Sequence, residues 1–230
     1  MGRPGLTLGV VIQARMGSTR LPGKVLRPIG GEPLLGHVTG RLQGLRHRAS
    51  VVVATTTAPA DDPVSRWCES RQVQCFRGSE LDVLDRYYRC ALRFGLDPVV
   101  RLTADNPFTD IEELDRLIDQ HVAEDNDLTH SFAALPVGVG AEVIAFRALE
   151  RSHKEGTAGH HREHVDEYIL ENPGTFRIGK LEVAAAKRHP EVRLTVDTEE
   201  DYRRACYVAE HAAGRWAGTE EAIGLCSRSA

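Results

Sequence analysis

The sequence predicts an α/β protein, a three-layer α/β/α sandwich built on a mostly parallel, mixed sheet. Three observations carry that prediction. Residues 8–14 (LGVVIQA) and 50–54 (SVVVA) are continuous apolar runs of strand length, as expected of strands covered on both faces. Between them Leu34, Leu35, Val38, Leu42 and Leu45 recur with helical spacing, completing a β-α-β unit. The chain of 230 residues has no internal repeat, low-complexity tract or linker, and at roughly 150 residues per domain it reads as one domain.

The remaining elements follow in order. A short strand is expected at 73–76, then a helix opened by Ser79, with Asp82 three positions on as a capping-box partner. Residues 98–103 read as another buried strand. Thr109 with Glu112 opens the next helix, whose apolar stripe is Ile111, Leu114, Leu117, Ile118 and Val122. From about residue 126 the rhythm changes. Strands are expected at 127–132, 141–146 and 176–178, with a helix at 160–172. A strand at 192–196 then runs into a helix at 198–213, so a parallel half gives way to a mixed one within one sandwich. The polar tail 214–230 is expected to be loosely held.

Composition narrows the function classes. Hydrophobic residues make up 41% and charged residues 27%, which excludes a disordered or collagen-like chain. The 29 Lys and Arg against 33 Asp and Glu give 29 − 33 = −4, so no whole-surface attraction to nucleic acid or anionic lipid is expected. Any anion must be held by a local site. No run approaches the roughly 18 to 20 apolar residues of a membrane helix, and residues 1–9 lack the apolar stretch of a secretory signal, so a cytoplasmic protein is expected. Cys68, Cys75, Cys90, Cys206 and Cys226 are odd in number and contain no CxxC pair. A disulfide framework or cysteine-built zinc site is not expected.

The sharpest local signal follows the first strand. Residues 14–24 read ARMGSTRLPGK and place Arg15, Arg20, Lys24, Gly17 and Gly23 in a loop leaving a buried strand. Such a loop can turn backbone N–H groups inward while its cations neutralise an oligophosphate. It also reads as a solvated basic turn. It is neither GxGxxG nor the GxxxxGK[ST] order of a P-loop.

ARMGSTRLPGK resembles the nucleotide-binding loop of the cytidylyltransferases that activate 3-deoxy-manno-octulosonate and acylneuraminate, most of all the spore coat polysaccharide biosynthesis protein F branch. The resemblance continues, in order, through ATTTAPADDP (54–63), FRGSELDVLDRYY (76–88), RLTADNPFTD (101–110), GAEVIAF (140–146), REHV (162–165) and RLTVDTEEDY (193–202). It implies a nucleotide-diphospho-sugar transferase (Rossmann-like) fold. The implied reaction is transfer of CMP from CTP to a sugar acid, sugar phosphate or similar anionic acceptor, with Mg²⁺ and release of pyrophosphate. Residues 1–125 become the nucleotide-binding half and 126–213 the half for acceptor binding and homodimer contact.

Carried over by position, the resemblance makes Arg15 and Lys24 the main triphosphate contacts, with Arg20 assisting and Gly17 and Ser18 offering backbone N–H groups. Lys24 becomes the charge stabiliser nearest the reacting phosphate. Arg77, Gly78 and Ser79 fall to the base or ribose, although Ser79 reads equally as a helix cap. Glu142, Arg162, Glu163 and His164 fall on the acceptor side, where Glu163 and His164 read equally as a solvated helix face. Two departures bear on the acceptor. Asn106 stands where relatives often carry Cys or Glu, and Thr195 where acylneuraminate enzymes tend to place a second acid, which weakens a sialic-acid reading.

The chemistry of the reaction fits the residues. An acceptor oxygen attacks the α-phosphorus as pyrophosphate leaves, so positioning and charge neutralisation are the main tasks. Magnesium takes oxygen ligands, commonly one or two carboxylates plus phosphate oxygens and water. Asp105, after VVRLT, and Asp197, after VRLTV, stand where strands of an open α/β sheet present ligand-binding groups, and they match the family's GDxPL-type and DT aspartates. Taken singly, each also reads as structural: Asp105-Asn106-Pro107 as a turn, and Asp197 as part of a helix cap.

Three rival readings meet obstacles in the residues themselves. His160-His161-Arg162-Glu163-His164 satisfies HxxEH, a zinc hydrolase pattern in which two His one helical turn apart bind the metal. Five residues in a chain with 10 His match easily by chance, and the pattern lacks an evident third ligand, so the protein is expected to hold no stoichiometric zinc, on His160 and His164 or elsewhere, and to stay active after EDTA and excess magnesium. A glycosyltransferase using a nucleotide-sugar donor shares the sheet, but the middle of the chain has no DxD motif. A non-catalytic nucleotide-binding subunit is disfavoured by intact Arg15, Lys24, Asp105 and Asp197.

Overall fold

The structure is a computed structural model that describes residues 7–132 and 134–227. It opens with β1 (Thr7–Gln13), a small hairpin of β2 (Pro28–Ile29) and β3 (Glu32–Pro33), helix α1 (Leu34–Arg41) and β4 (Ser50–Thr56). Next come α2 (Asp62–Ser70), β5 (Gln74–Gly78), α3 (Val83–Phe94), β6 (Leu96–Thr103) and α4 (Ile111–Glu124). The second half contains β7 (Leu128–His130), β8 (Glu142–Ile144), α5 (Phe146–Glu155), α6 (Gly159–Glu163), α7 (Glu167–Glu171), β9 (Ile178–Lys180), α8 (Glu199–His211) and α9 (Thr219–Cys226).

Seven strands form one sheet in the order β5-β4-β1-β6-β8-β7-β9. All run the same way except β8, which is antiparallel to both β6 and β7. Val10, Val11 and Ile12 are fully buried because both faces are covered, which is why β1 reads as a continuous apolar run. Side chains alternate across the strand. Val10 and Ile12 belong to the core that also contains residues of α1, α2, α4, α8 and α9, and Val11 to the core shared with α3, α5 and α7. The three-layer α/β/α architecture predicted from the sequence is therefore the observed one.

Connectivity places the site. From β1 the chain builds outward through β4 to β5, then crosses back to lay β6 on the other side of β1. This reversal opens a crevice at the carboxyl ends of β1 and β6, where Gln13 pairs with Thr103.

The structure corrects several expected boundaries. Helix α3 is capped by Asp82, whose Oδ1 accepts the Asp85 N–H at 2.8 Å, and not by Ser79. Ser79 closes the preceding turn, its Oγ accepting the Asp82 N–H at 3.0 Å. Likewise Asp110 caps α4 by accepting the Glu113 N–H at 2.9 Å, while the Thr109 hydroxyl donates to the Asn106 carbonyl. In both places the aspartate stands directly before the first apolar helical residue, Val83 or Ile111, and a carboxylate is a strong acceptor for an unpaired N–H.

The expected helix at 160–172 is broken into α6 and α7. His164 is extended (φ −111°, ψ 115°), which lets Val165 bury completely against the α3 side of the sheet. The expected strand at 192–196 is not a member of the sheet: it forms an isolated bridge between Val137 and Arg193, and its Val196 N–H donates to the Asp105 carbonyl at 2.9 Å. The tail is not loose as far as Ser227. Helix α9 buries Ala222 and Leu225, and Glu221 accepts the Ala213 N–H at 2.7 Å. Residues 1–6 and 228–230, which carry part of the leader and tail readings, lie outside the described residues. All five cysteines are free thiols, and no described helix is long and apolar enough to cross a membrane.

Candidate active site

The crevice at the β1 and β6 ends is a cavity of about 260 Å³ lined by Gln13, Arg15, Gly17, Ser18, Thr19, Arg20, Lys24, Thr103, Asp105 and Asp197, among others. A larger cavity of about 810 Å³ beside Arg41 and Lys187 shares no lining residue with it. The basic loop and both aspartates are thus brought to one place.

Local geometry explains how. Gly23 has a φ of 71°, the left-handed region that favours glycine, and turns the chain into a short 3₁₀ turn that carries Lys24 inward. The Lys24 side chain is 10% exposed. Its ammonium donates to Asp105 Oδ2 at 2.7 Å, Asp197 Oδ1 at 2.8 Å and the Val196 carbonyl at 2.9 Å. The Thr103 hydroxyl donates to Asp105 Oδ1 at 2.5 Å. Arg20 reaches Asp197 Oδ1 at 3.2 Å, and Arg193 pairs with its other oxygen.

Asp197 does not cap α8. Thr198 does so, its Oγ1 accepting the Asp201 N–H at 3.2 Å while Asp201 Oδ2 accepts from Asp197 N and Thr198 N. The Asp197 carboxylate is left to face the cations. Burial alone raises its pKa, but the hydrogen bond and charge of Lys24, with Arg20 and Arg193, outweigh that and hold it below the usual value. Gly138, at φ 93°, lets a neighbouring turn press against this segment; a Cβ there would meet Thr195 N at 2.6 Å.

Beneath the loop lies an anchor that the sequence reading missed. Asp61, 3% exposed, accepts the Met16 N–H at 2.6 Å and also the Thr56 hydroxyl. Removing the carboxylate strands both donors, each at a cost of about 1–3 kcal/mol. Asp61→Ala is therefore expected to lower the unfolding midpoint and weaken nucleotide binding together, whereas Asp61→Asn keeps an acceptor for Met16 and stays near wild type. Denaturant titration and calorimetry check this.

Not every expected contact is assembled. The Ser18 N–H donates to the Met16 carbonyl at 3.0 Å, so it is engaged within the loop and not presented to the cavity. Gly17 borders open space. Arg77 donates to the carbonyls of Thr56 and Ala58 and pairs with Asp62 at 2.7 Å, bracing the turn after β4. Gly78 is packed so closely that a Cβ would meet the Phe76 ring at 2.8 Å. Neither these two nor Ser79 lines the cavity.

The expected acceptor set is also apart from it. Glu142 is fully buried in an ion pair with Arg101, so an acceptor cannot reach it in this structure; burial raises its pKa and Arg101 opposes that. Arg162 clamps Asp82 and donates to the His153 carbonyl at 2.9 Å. Glu163 and His164 are exposed. His164, beyond the end of α6, does not join His160 in the HxxEH arrangement.

Among the residues lining the cavity, Arg15, Arg20 and Lys24 against Asp105 and Asp197 give 3 − 2 = +1, a local positive site on a chain of net charge −4, and Arg193 pairs with Asp197 from beside it. Arg86, fully buried under the Ser79 turn with Nε and Nη2 unpaired, had no signal at all. The two carboxylates converge on a single cation, here an ammonium, and offer hard oxygen donors, so they fit a magnesium ion.

An open α/β sheet with a basic loop and paired aspartates at its switch point defines a nucleotidyltransferase architecture. Comparison with known proteins agrees. The cytidylyltransferase family model matches residues 9–221. The chain is 40% identical over 197 residues to the spore coat polysaccharide biosynthesis protein SpsF of Bacillus subtilis, covering 84% of this chain and 82% of that one. A solved cytidylyltransferase from Leptospira borgpetersenii superposes with a TM-score of 0.90 at 29% identity, covering 97% of this chain and 95% of the other. A CMP:2-keto-3-deoxy-manno-octonic acid synthetase solved with CTP shares the fold, with a TM-score of 0.68 at 19% identity over 89% of this chain and 99% of that one. The chain belongs to the cytidylyltransferase family and is a nucleotidyltransferase, as the ARMGSTRLPGK resemblance implied.

Proposed function

We propose that this enzyme transfers CMP from CTP to a sugar acid or related anionic acceptor, releases pyrophosphate and uses Mg²⁺. The observation that carries the reading is the Lys24 ammonium held between Asp105 and Asp197, beside the Arg15 and Arg20 loop at the switch point. CTP as donor is supported by the family and by the synthetase of the same fold solved with CTP. A sugar-acid acceptor is supported by the 3-deoxy-manno-octulosonate cytidylyltransferases among the relatives, one of them 35% identical over 141 residues. The likeness to SpsF supports a role in polysaccharide biosynthesis.

In this reading Arg15 and Arg20 fix the triphosphate and Gly17 lets it approach the backbone. Lys24 contributes the positive charge nearest the reacting phosphate, and Thr103 orients Asp105. Asp105 and Asp197 would hold Mg²⁺, which when bound supplies further neutralisation of phosphate charge. The chain's own work is to align the acceptor oxygen with the α-phosphorus and to balance charge as pyrophosphate leaves.

A ligand that binds only the folded protein raises its stability, by about 2.7 kcal/mol at 100 times Kd. CTP with Mg²⁺ is therefore expected to raise the melting temperature more than ATP, GTP or UTP, and pyrophosphate release from CTP to require a sugar acid such as 3-deoxy-manno-octulosonate or a related anion. Equal shifts with all four nucleotides would remove the CTP assignment.

We also assign residues 126–213 to acceptor binding and homodimer contact, supported by the exposed Phe132 and Val137 in that half. Light scattering at micromolar concentration should give a dimer mass; a monomer sinks this part. A cytoplasmic setting accords with the five free thiols.

A further inference from the structure

None of His160, His161, Arg162, Glu163 and His164 lines the catalytic cavity, yet the fold builds something there that the spacing did not foretell. The break at His164 folds α7 back beside α6 and brings Glu171 to the two adjacent histidines. His160 Nε2 lies 2.8 Å from Glu171 Oε1, and His161 Nε2 lies 2.6 Å from Oε2. The three ligand atoms all fall within 4.8 Å of one another. The His160 and His161 rings sit 4.2 Å apart at 61°, and Tyr168 packs edge-on against His161.

We propose that His160, His161 and Glu171 bind one divalent transition-metal ion of the zinc class, at a three-ligand site separate from the catalytic carboxylates. The donor set decides the class of ion. Two imidazole nitrogens and a carboxylate oxygen suit Zn²⁺, at about 2.0–2.2 Å from each ligand, whereas Mg²⁺ prefers oxygen alone. Small outward shifts of the side chains accommodate such an ion, and the exposed faces of His160 and Glu171 leave its remaining position to water. Glu171 is held in its charged form by the hydrogen bonds from His161 and His160.

The proton balance follows from the His161 contacts. The Ala158 N–H donates to His161 Nδ1 at 3.3 Å, so in the metal-free protein the ring proton sits on Nε2, facing Glu171. The ion takes the Nε2 lone pair. That requires the proton to move to Nδ1, so the long Ala158 contact opens; His160, whose Nε2 also faces Glu171, makes the same tautomer shift, and no proton is lost from either neutral ring.

The consequence for the fold is a clip. α6 and α7 have five residues each, too few to be stable helices on their own. α6 also carries Arg162, whose guanidinium pairs with Asp82 at the cap of α3. An ion joining α6 to α7 steadies that contact.

The test uses the full chain after EDTA treatment and desalting, titrated with zinc chloride by calorimetry in excess Mg²⁺. One zinc ion per chain, with a micromolar Kd and a raised melting temperature, is expected. His161→Ala and Glu171→Gln should abolish both effects. His164→Ala and the Asp105→Asn/Asp197→Asn double variant should retain them, which separates this site from the HxxEH pattern and from the active site. If the Glu171 or His161 variant does not fold, wild-type protein with Co²⁺ keeps the question open to measurement: visible bands of a nitrogen- and oxygen-ligated ion, lost on adding zinc, are expected. No saturable zinc binding to wild type, or binding that survives Glu171→Gln, overturns the proposal.

Discussion

Lys24→Ala is expected to slow pyrophosphate release from CTP by ~10²–10³, the usual loss when a positioned electrostatic stabiliser is removed. The Lys24 ammonium has three acceptors, so no neighbouring cation can replace it without moving; of those acceptors, Arg20 and Arg193 reach Asp197 alone. Two carboxylates would also be left facing each other. The same variant should therefore show altered Mg²⁺ dependence as well as a lower turnover, while circular dichroism and the denaturation midpoint establish that the sheet is intact. Lys24→Met keeps the aliphatic stem packed beside Val25 and should be equally slow, because the stem carries no charge. Normal turnover in both variants would mean that the reaction takes place elsewhere.

Asp105→Asn and Asp197→Asn are each expected to weaken Mg²⁺ activation by at least about tenfold, and the double variant should lose little more than the worse single one. Residues that act through one ion are strongly non-additive, with coupling of about 0.5–3 kcal/mol. Their environments differ in a way the data can reveal. Asp105 is supported by Thr103 and Lys24, whereas Asp197 is wrapped by Lys24, Arg20 and Arg193. Asp197→Asn should thus also loosen Arg20 and raise the KM for the triphosphate, while Asp105→Asn falls mainly on turnover. Losses that simply add across the two positions would show that the aspartates do not share an ion.

How much of this was legible in the sequence depends on the range over which each feature is specified. β1 and β4 were readable because burial on both faces imposes a continuous apolar run, and α1 because helical spacing of Leu34, Leu35 and Val38 has no other economical reading. The helix starts at Asp82 and Asp110 were missed by three residues and one, since Ser79 and Thr109 are equally good capping residues locally. Only the packing of Val83 and Leu84, or of Leu114, decides which turn enters the core.

The site divides in the same way. The loop position of Lys24 after β1 and the place of Asp105 just past β6 were legible in the sequence, because a chain leaving a buried strand must emerge at the end of the sheet, whereas Asp197 follows a segment that forms no strand of that sheet. Their meeting was decided by topology: residues 24, 105 and 197 touch only because β6 is laid beside β1 and the 192–196 segment is drawn across their ends. The resemblance likewise assigned Glu142 to an acceptor, but its pairing with Arg101 across β8 and β6 leaves the Glu142 carboxylate fully buried, away from the cavity. Asp61 and Arg193 were silent for the converse reason. Each is an ordinary charged residue in a turn or an extended segment, and becomes part of the site only through partners 45 residues away at Met16 or across the turn at Asp197. Periodicity and strand ends are local and survive in one dimension; charge compensation is a property of distances in space, which only the folded chain sets.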